Sequence, residues 1–405
     1  MSSSFRNSAA LVVAGLVVAQ GAYCADWYYI PEADVRAEVH SNLTLETAAA
    51  LVDSNEAYVA TIGTIIGART PRWTTELRPR VRLQQYPDHS ELQRTNGYLD
   101  LRSSYRAPRG SFDLTGSFYK EDRFQSELSN AGYDPFDPND PTVSASGRLV
   151  LTSETRTRVQ LRPSFSYQLN ERVDVGADIA YEKSDFNGAG AAAGSDYDDS
   201  SLEGYLGWEL TPRTVLQTGA YVGRYETGDS AYKADSTGLT LELKHDWTET
   251  LSGNLRTEFE RTKVQSVADP EDTSNNWGAT AEVRWRGQVS NLRGSVGRRF
   301  TPSDYGVRST IDEVRLQYDR QVRERWSWVT ALRGFETRSQ GATPTTNDRK
   351  YLRAEFELQW LMTRTWFLGG GYNYTWQEYA LETDSANDNT FFVRIGYKGL
   401  RPPRR

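Results

Sequence analysis

The stretch YLRAEFELQWL, Tyr351 to Leu361, holds two interleaved sequences. Leu352, Ala354, Phe356, Leu358 and Trp360 are apolar, while Arg353, Glu355, Glu357 and Gln359 are polar. The period is two, so the segment reads as a strand with one apolar and one wet face. The fold turns on which solvent the apolar face meets.

The same pattern returns along the chain. TELRPRVRLQ sets Leu77, Val81 and Leu83 against Arg78, Arg80 and Arg82. RVQLRPSFSYQL sets Val159, Leu161, Phe165 and Tyr167 against Arg158, Gln160 and Arg162. TFFVRIGY closes the series with Phe391, Val393, Ile395 and Tyr397. About eighteen such segments of about 10–13 residues fit, the length a tilted strand needs to cross a bilayer. Short connections such as RTPR (69–72), APRG (107–110), TPRT (211–214) and MTRT (362–365) hold Pro, Gly and Thr turn chemistry. They alternate with longer polar ones at 130–147, 186–199, 226–235, 265–275, 338–348 and 381–389. Short turns on one side and long loops on the other is the layout of an outer-membrane barrel.

A soluble β-sandwich or propeller would bury the apolar face and spread aromatics through its core. Here Trp208, Trp247, Trp285, Trp326, Trp360 and Trp366 all lie near short turns, as in an interfacial girdle. Gly204, Gly253, Gly294 and Gly370 fall on the apolar face. They would leave holes in a packed core but cost little against fluid acyl chains. The expected fold is therefore all-β: a transmembrane barrel of about eighteen antiparallel strands in an up-and-down meander, apolar face to lipid.

Composition agrees once alternation is allowed for. The chain has 405 residues, 38 % hydrophobic and 25 % charged, with a mean hydropathy of -0.66. A barrel strand averages out to hydrophilic, and nothing approaches ~18 consecutive apolar residues. A net charge of -7 argues against a nucleic-acid partner. Residues 1–24 have a charged start, an apolar run and small residues near Cys24, so they read as a secretory signal peptide. Cys24 is the single cysteine, which leaves the mature chain without disulfides. The rest divides into a periplasmic N-terminal segment (25–33), the barrel (34–398) and a periplasmic tail (399–405), placed in the outer membrane of a Gram-negative bacterium.

The inward face carries Arg78, Arg80, Arg82, Arg158, Arg162, Arg256, Arg284, Arg293, Arg315, Arg353, Glu355 and Glu357 as lumen-lining candidates. A barrel of this width encloses water. Two readings compete. A basic stripe of Arg78, Arg80 and Arg82 facing Arg158 and Arg162 would guide an anionic or heavily hydroxylated substrate. Alternatively the charges pair across strands and hold the wall. Acidic runs in YDPFDPNDP and GSDYDDSS suit calcium or plain turn chemistry. Of the three histidines, His40 and His245 sit in strands and His89 in the loop YPDHSEL. With no nucleophile elbow, phosphate loop or metal cluster, neither an enzyme nor a cofactor is expected.

Three stretches carry a resemblance: DWYYIPEADVRAEVHSNLTLE, RWTTELRPRVRLQQYPDHSELQRTNGYLDL and ETRTRVQLRPSFSYQLNERVDVGADIAYEKSDF. In them, and over nearly the whole mature chain, the protein resembles the beta-barrel porin 2 family of outer-membrane proteins encoded in exopolysaccharide loci. That resemblance implies an eighteen-stranded barrel in outer-membrane lipid. It implies an exit for a secreted polysaccharide, with a periplasmic polysaccharide export protein as partner. It supplies no catalytic or ligand residue. The last strand departs from common outer-membrane proteins, since Tyr397 is followed by KGLRPPRR rather than ending the chain. A general small-solute porin and a structural barrel sheathing a periplasmic partner are the other readings.

Overall fold

The computed structural model describes residues 25–43, 45, 54–87, 93–122, 154–187, 194–266, 272–302, 308–339, 348–381 and 384–400. The chain forms β1 (Asp26–His40), β2 (Asn55–Arg69), β3 (Trp73–Gln85), β4 (Arg94–Arg106), β5 (Gly110–Asp122) and β6 (Thr155–Asn170). It continues with β7 (Val173–Asn187), β8 (Tyr197–Thr211), β9 (Thr214–Thr227), β10 (Tyr232–Asp246), β11 (Leu251–Ser266) and β12 (Asp272–Arg286). It ends with β13 (Ser290–Pro302), β14 (Arg308–Arg323), β15 (Trp326–Ser339), β16 (Arg349–Leu361), β17 (Trp366–Tyr379) and β18 (Ser385–Lys398). Every strand pairs with its chain neighbours, and β1 also pairs antiparallel with β18, from Glu32↔Lys398 to His40↔Thr390. The sheet is a closed eighteen-stranded barrel. At the usual strand spacing and tilt its backbone diameter is roughly 35 Å.

The short turns repeat one device. In TPRW, TETL and TRTW the first Thr hydroxyl caps the turn: Thr70 Oγ1 accepts from Trp73 N at 2.9 Å, Thr248 Oγ1 from Leu251 N at 2.9 Å, and Thr363 Oγ1 from Trp366 N at 3.0 Å. A turn carbonyl then accepts from the next hairpin, as Arg72 O does from Arg106 N at 2.8 Å. Adjacent hairpins are thereby tied at the rim as well as along the ladder.

Alternation decides the two faces. On β10, Leu239, Leu241 and Leu243 point out, and Leu239 is 63 % exposed. Val393 and Phe391 on β18 and Phe259 on β11 are as open. A packed core would cover such side chains, whereas a hydrocarbon surround asks only that they carry no charge. Gly204 has nothing within 4 Å of an added Cβ, and Gly370 meets only a backbone oxygen at 3.6 Å. All six candidate tryptophans sit at the short-turn end of this outer surface. Trp326 and Trp360 stack at 6.0 Å, Trp366 meets Tyr397 at 5.1 Å, and Trp247 lies over Gly253. Trp73 and Trp328 join them through Tyr105 and Tyr318. The loop end of the outer surface is bounded instead by ion pairs such as Arg298–Asp312 at 2.6 Å and Arg338–Glu336 at 2.8 Å.

Several boundaries differ from the sequence reading. Residues 26–33, expected to precede the barrel, open β1 and pair with β2 from Asp26↔Arg69 onward. Trp27 and Tyr29 face out while Tyr28 and Ile30 face in, so aromatic and apolar residues on both faces mask the alternation. The connections read as 226–235 and 381–389 are also shorter, because β9 reaches Thr227, β10 starts at Tyr232 and β18 at Ser385. Beyond the lipid both faces meet water, so polarity stops alternating while the backbone ladder continues.

Placing a cation in the outer band tests this orientation. Leu241→Arg is expected to cost about 2–4 kcal/mol in urea titrations of the barrel folded into bilayers. Lys244→Gln, inward on the same strand, is expected to cost less than about 1 kcal/mol. Equal losses would contradict the assignment.

Candidate functional site: the lumen wall

The inward face of almost every strand is polar. Arg78, Arg80 and Arg82 lie on it in β3, and Arg158 and Arg162 in β6. Arg256, Arg284, Arg293, Arg315, Arg353, Glu355 and Glu357 lie on it from β11 to β16. The stripe of the first reading does not face itself across the lumen. β3 and β6 are separated only by β4 and β5, so the two arginine groups lie side by side on one wall. Most of these guanidiniums have carboxylate partners. Arg78 reaches Glu32 at 3.0 Å, Arg80 reaches Asp100 at 2.8 Å, and Arg158 donates twice to Glu182 at 2.8 Å. Arg82 and Arg162 make no hydrogen bond among the described residues.

A second basic feature emerges from the register. Arg315, Arg333 and Arg353 are direct cross-strand partners on β14, β15 and β16. Arg36 and Arg394 are likewise opposed on β1 and β18. Like charges directly opposite are unfavourable unless neutralised. Glu313 does this for three arginines: 2.7 Å to Arg315, 2.7 Å to Arg333 and 3.3 Å to Arg299. Elsewhere the neutralising carboxylate sits two residues away on the same face. The pairs are Arg36–Glu38 at 2.5 Å, Arg284–Glu282 at 2.6 Å and Arg353–Glu355 at 3.2 Å. Two residues apart is one step along a strand face, so R-x-E and E-x-R are the local sequence form of this pairing.

Inward glycines let side chains lie along the wall. Glu357 on β16 crosses Gly369 on β17 to meet Arg394 on β18 at 2.6 Å. A Cβ on Gly369 would sit 2.5 Å from Glu357 Oε1 and 3.2 Å from Arg394 Nε. Glu203 on β8 crosses Gly219 on β9, accepts from Thr240 at 2.6 Å and pairs with Arg256 on β11 at 2.6 Å. The Tyr221 ring lies over Gly238, and its hydroxyl donates to Glu260 at 2.6 Å. Tyr28 crosses Gly67 to donate to Glu76, and Arg80 lies over Gly63. Long polar side chains are thus held flat rather than aimed at the axis.

The sequence reading missed Arg333, Arg36, Arg94, Arg156 and Arg308. Arg333 is flanked inward by Ala331 and Phe335, which blurred its face. Arg308 leaves its strand end to reach Glu260 across two strands, at 2.6 Å. The bridging role of the glycines left no mark, since inward and outward glycines look alike in one sequence.

His40 is held between Glu38 at 3.0 Å and Asp388 at 2.8 Å, and His245 contacts Thr214 at 2.9 Å. His89, residues 1–24, the loop 123–153 with YDPFDPNDP, and the tail 401–405 lie outside the described residues. In GSDYDDSS, Asp196 accepts from Phe186 N at 2.6 Å and Asp198 from Tyr181 at 2.9 Å. Among the described residues no group of three or more His, Cys, Asp or Glu is placed to hold a metal ion.

No protein-family model matches the chain, and no curated protein matches its sequence. Solved structures do match in shape. Pseudomonas aeruginosa OccK2 (OpdF) in complex with glucuronate is similar at 12 % identity and a TM-score of 0.45, covering 93 % of this chain and 99 % of that one. The outer membrane protein OpdK of Pseudomonas aeruginosa is similar at 9 % identity and a TM-score of 0.44, covering 92 % and 99 %. Pseudomonas aeruginosa OccK5 (OpdH) is similar at 11 % identity and a TM-score of 0.42, covering 92 % and 98 %. At these values the likeness says nothing of what this chain carries. The family resemblance drawn from the sequence gains no support from the family models.

Neighbouring glycines on β17 give a direct test of the wall. Gly369→Val is expected to displace the Glu357–Arg394 pair, lower stability by about 2–4 kcal/mol and push a charged side chain toward the axis. Gly370→Val, facing out, is expected to change stability by less than about 0.5 kcal/mol. Denaturation midpoints of the two variants check this; parity between them would contradict it.

Proposed function

We propose that the chain is a passive channel for small hydrophilic solutes across the outer membrane of a Gram-negative bacterium. One observation carries the reading. An eighteen-stranded barrel is wide enough for water, and charged side chains such as Glu203 and Glu357 lie along its wall over glycines, paired with arginines two or three strands away. A structural plug would need those side chains to interdigitate across the axis.

The finer reading, an exit for a secreted polysaccharide working with a periplasmic export protein, rests on the sequence resemblance. One feature of the barrel favours it: Arg72, Arg109, Arg172, Arg213, Arg325 and Arg364 occupy six short turns on the rim where both described ends of the chain lie. None of the six makes a side-chain ion pair among the described residues. A basic rim of that kind suits docking by an acidic partner.

Planar-bilayer recording of the purified protein tests the channel. Steady ohmic steps, with swelling of liposomes in small sugars, are expected. A protein that folds into bilayers but passes neither ions nor sugars would contradict it. Stoichiometric co-purification of a periplasmic protein, lost when the six turn arginines are changed to Gln, would favour the export reading.

A further inference from the structure

The wall from β6 to β14 carries two adjoining recesses, of about 200 and 210 Å³, each the size of a single sugar ring. They share Glu203 and Arg256, whose ion pair forms the ridge between them. Small inward residues floor the first recess: Ser201 on β8, Gly223 on β9 and Ser236 on β10 leave the backbone bare. Their flanks are mixed. Tyr221 and Phe300 line the first recess, and Tyr205, Gln217, Thr240 and Lys244 the second. Hydroxyl, amide, ammonium, carboxylate and aromatic faces converging on a ring-sized depression is the chemistry that holds a polyol.

The sign of the solute follows from what is already neutralised. Arg256 is committed to Glu203, and Arg308 to Glu260, each at 2.6 Å. Glu260 also accepts from Tyr221 and from Thr262, both at 2.6 Å. Asp199 and Glu258 face the same recess and accept no hydrogen bond among the described residues. Glu258 lies along the wall over Gly278. The cations that line this recess are spoken for, Arg224 by Asp235 at 2.7 Å, and two of its carboxylates are not; Arg162 acts on Asp199 from outside the lining. Partly dehydrated carboxylates gain most from a ligand that supplies N–H and O–H donors, and repel one that brings another anion.

We infer that this wall is a subsite for a hydroxyl-rich solute without negative charge, and that it favours an amino sugar. The ring occupies the first recess, its hydroxyls meet the Glu203–Arg256 ridge, and its ammonium meets one of the two uncommitted carboxylates, Asp199 or Glu258. The inference deepens the channel reading and rests on it for its biological meaning, but its test does not require conduction.

Purified barrel in detergent is titrated with glucosamine, glucose and glucuronate, and binding is followed by saturation-transfer NMR. Glucosamine is expected to bind roughly fivefold tighter than glucose, the scale of one partly exposed ion pair, with glucuronate weakest. Asp199→Asn with Glu258→Gln is expected to bring glucosamine to the level of glucose. Ser201→Trp, which fills the recess without touching a charge, is expected to weaken both sugars. Glucuronate binding as tightly as glucosamine, or an unchanged preference in the double variant, would overturn the subsite. Bilayer conductance measured in parallel separates the two ideas. A barrel that conducts without the preference sinks the subsite alone. One that shows the preference without conducting supports the subsite and sinks the channel.

Discussion

Hydrocarbon offers no partner to a backbone N–H or C=O, so a sheet can lie in it only without an edge. The rest of this structure depends on the β1–β18 seam that removes the edge. Once the ring closes, the crossing part of each strand has a face that never meets water and a face that never meets lipid. The outer face then needs only to avoid charge, which is why Leu, Val, Ala and even bare Gly204 serve there. Every charge in the crossing segments is driven to the other side.

That concentration of charge sets the problem the lumen solves. Arginines opposed in register, such as Arg315, Arg333 and Arg353, would repel unless carboxylates stood between them. Some come from one step along the same strand, as in Arg353 and Glu355. Others come from two or three strands away, and these need a clear path along the wall. The inward glycines provide it. Beside the Glu203–Arg256 bridge, the small residues Ser201, Gly223 and Ser236 leave a ring-sized depression. Wall stability and lumen width therefore share one cause.

The barrel was legible in the sequence because period-two alternation and turn chemistry are local properties. YLRAEFELQWL contains its own face assignment, and RTPR announces its own turn. The site was less legible because it is made by partners far apart in the chain. Nothing near Glu203 names Arg256, and nothing near Gly219 says that a carboxylate will lie across it. β1 shows a third limit: with Tyr28 and Ile30 inward, the apolar signal appears on both faces and the strand start is lost. The lip strands show a fourth, since alternation encodes a contrast of solvents and vanishes where both sides are water. The R-x-E and E-x-R pairs are the exception, being same-face neighbours within one strand.

The central claim is that hydrocarbon bathes the apolar side of each strand and water the charged side. The most direct measurement is a spin-label scan through β16, one cysteine at a time from Leu352 to Trp360, in lipid vesicles. Cys24 is the single cysteine of the sequence, so Cys24→Ser gives a background without a competing thiol. Labels at 352, 354, 356, 358 and 360 should collide most with dissolved oxygen, and those at 353, 355, 357 and 359 with a water-soluble nickel chelate. Even-numbered labels shielded from both reagents, with odd-numbered ones open to water, would mean a buried protein core on that side and would contradict the account.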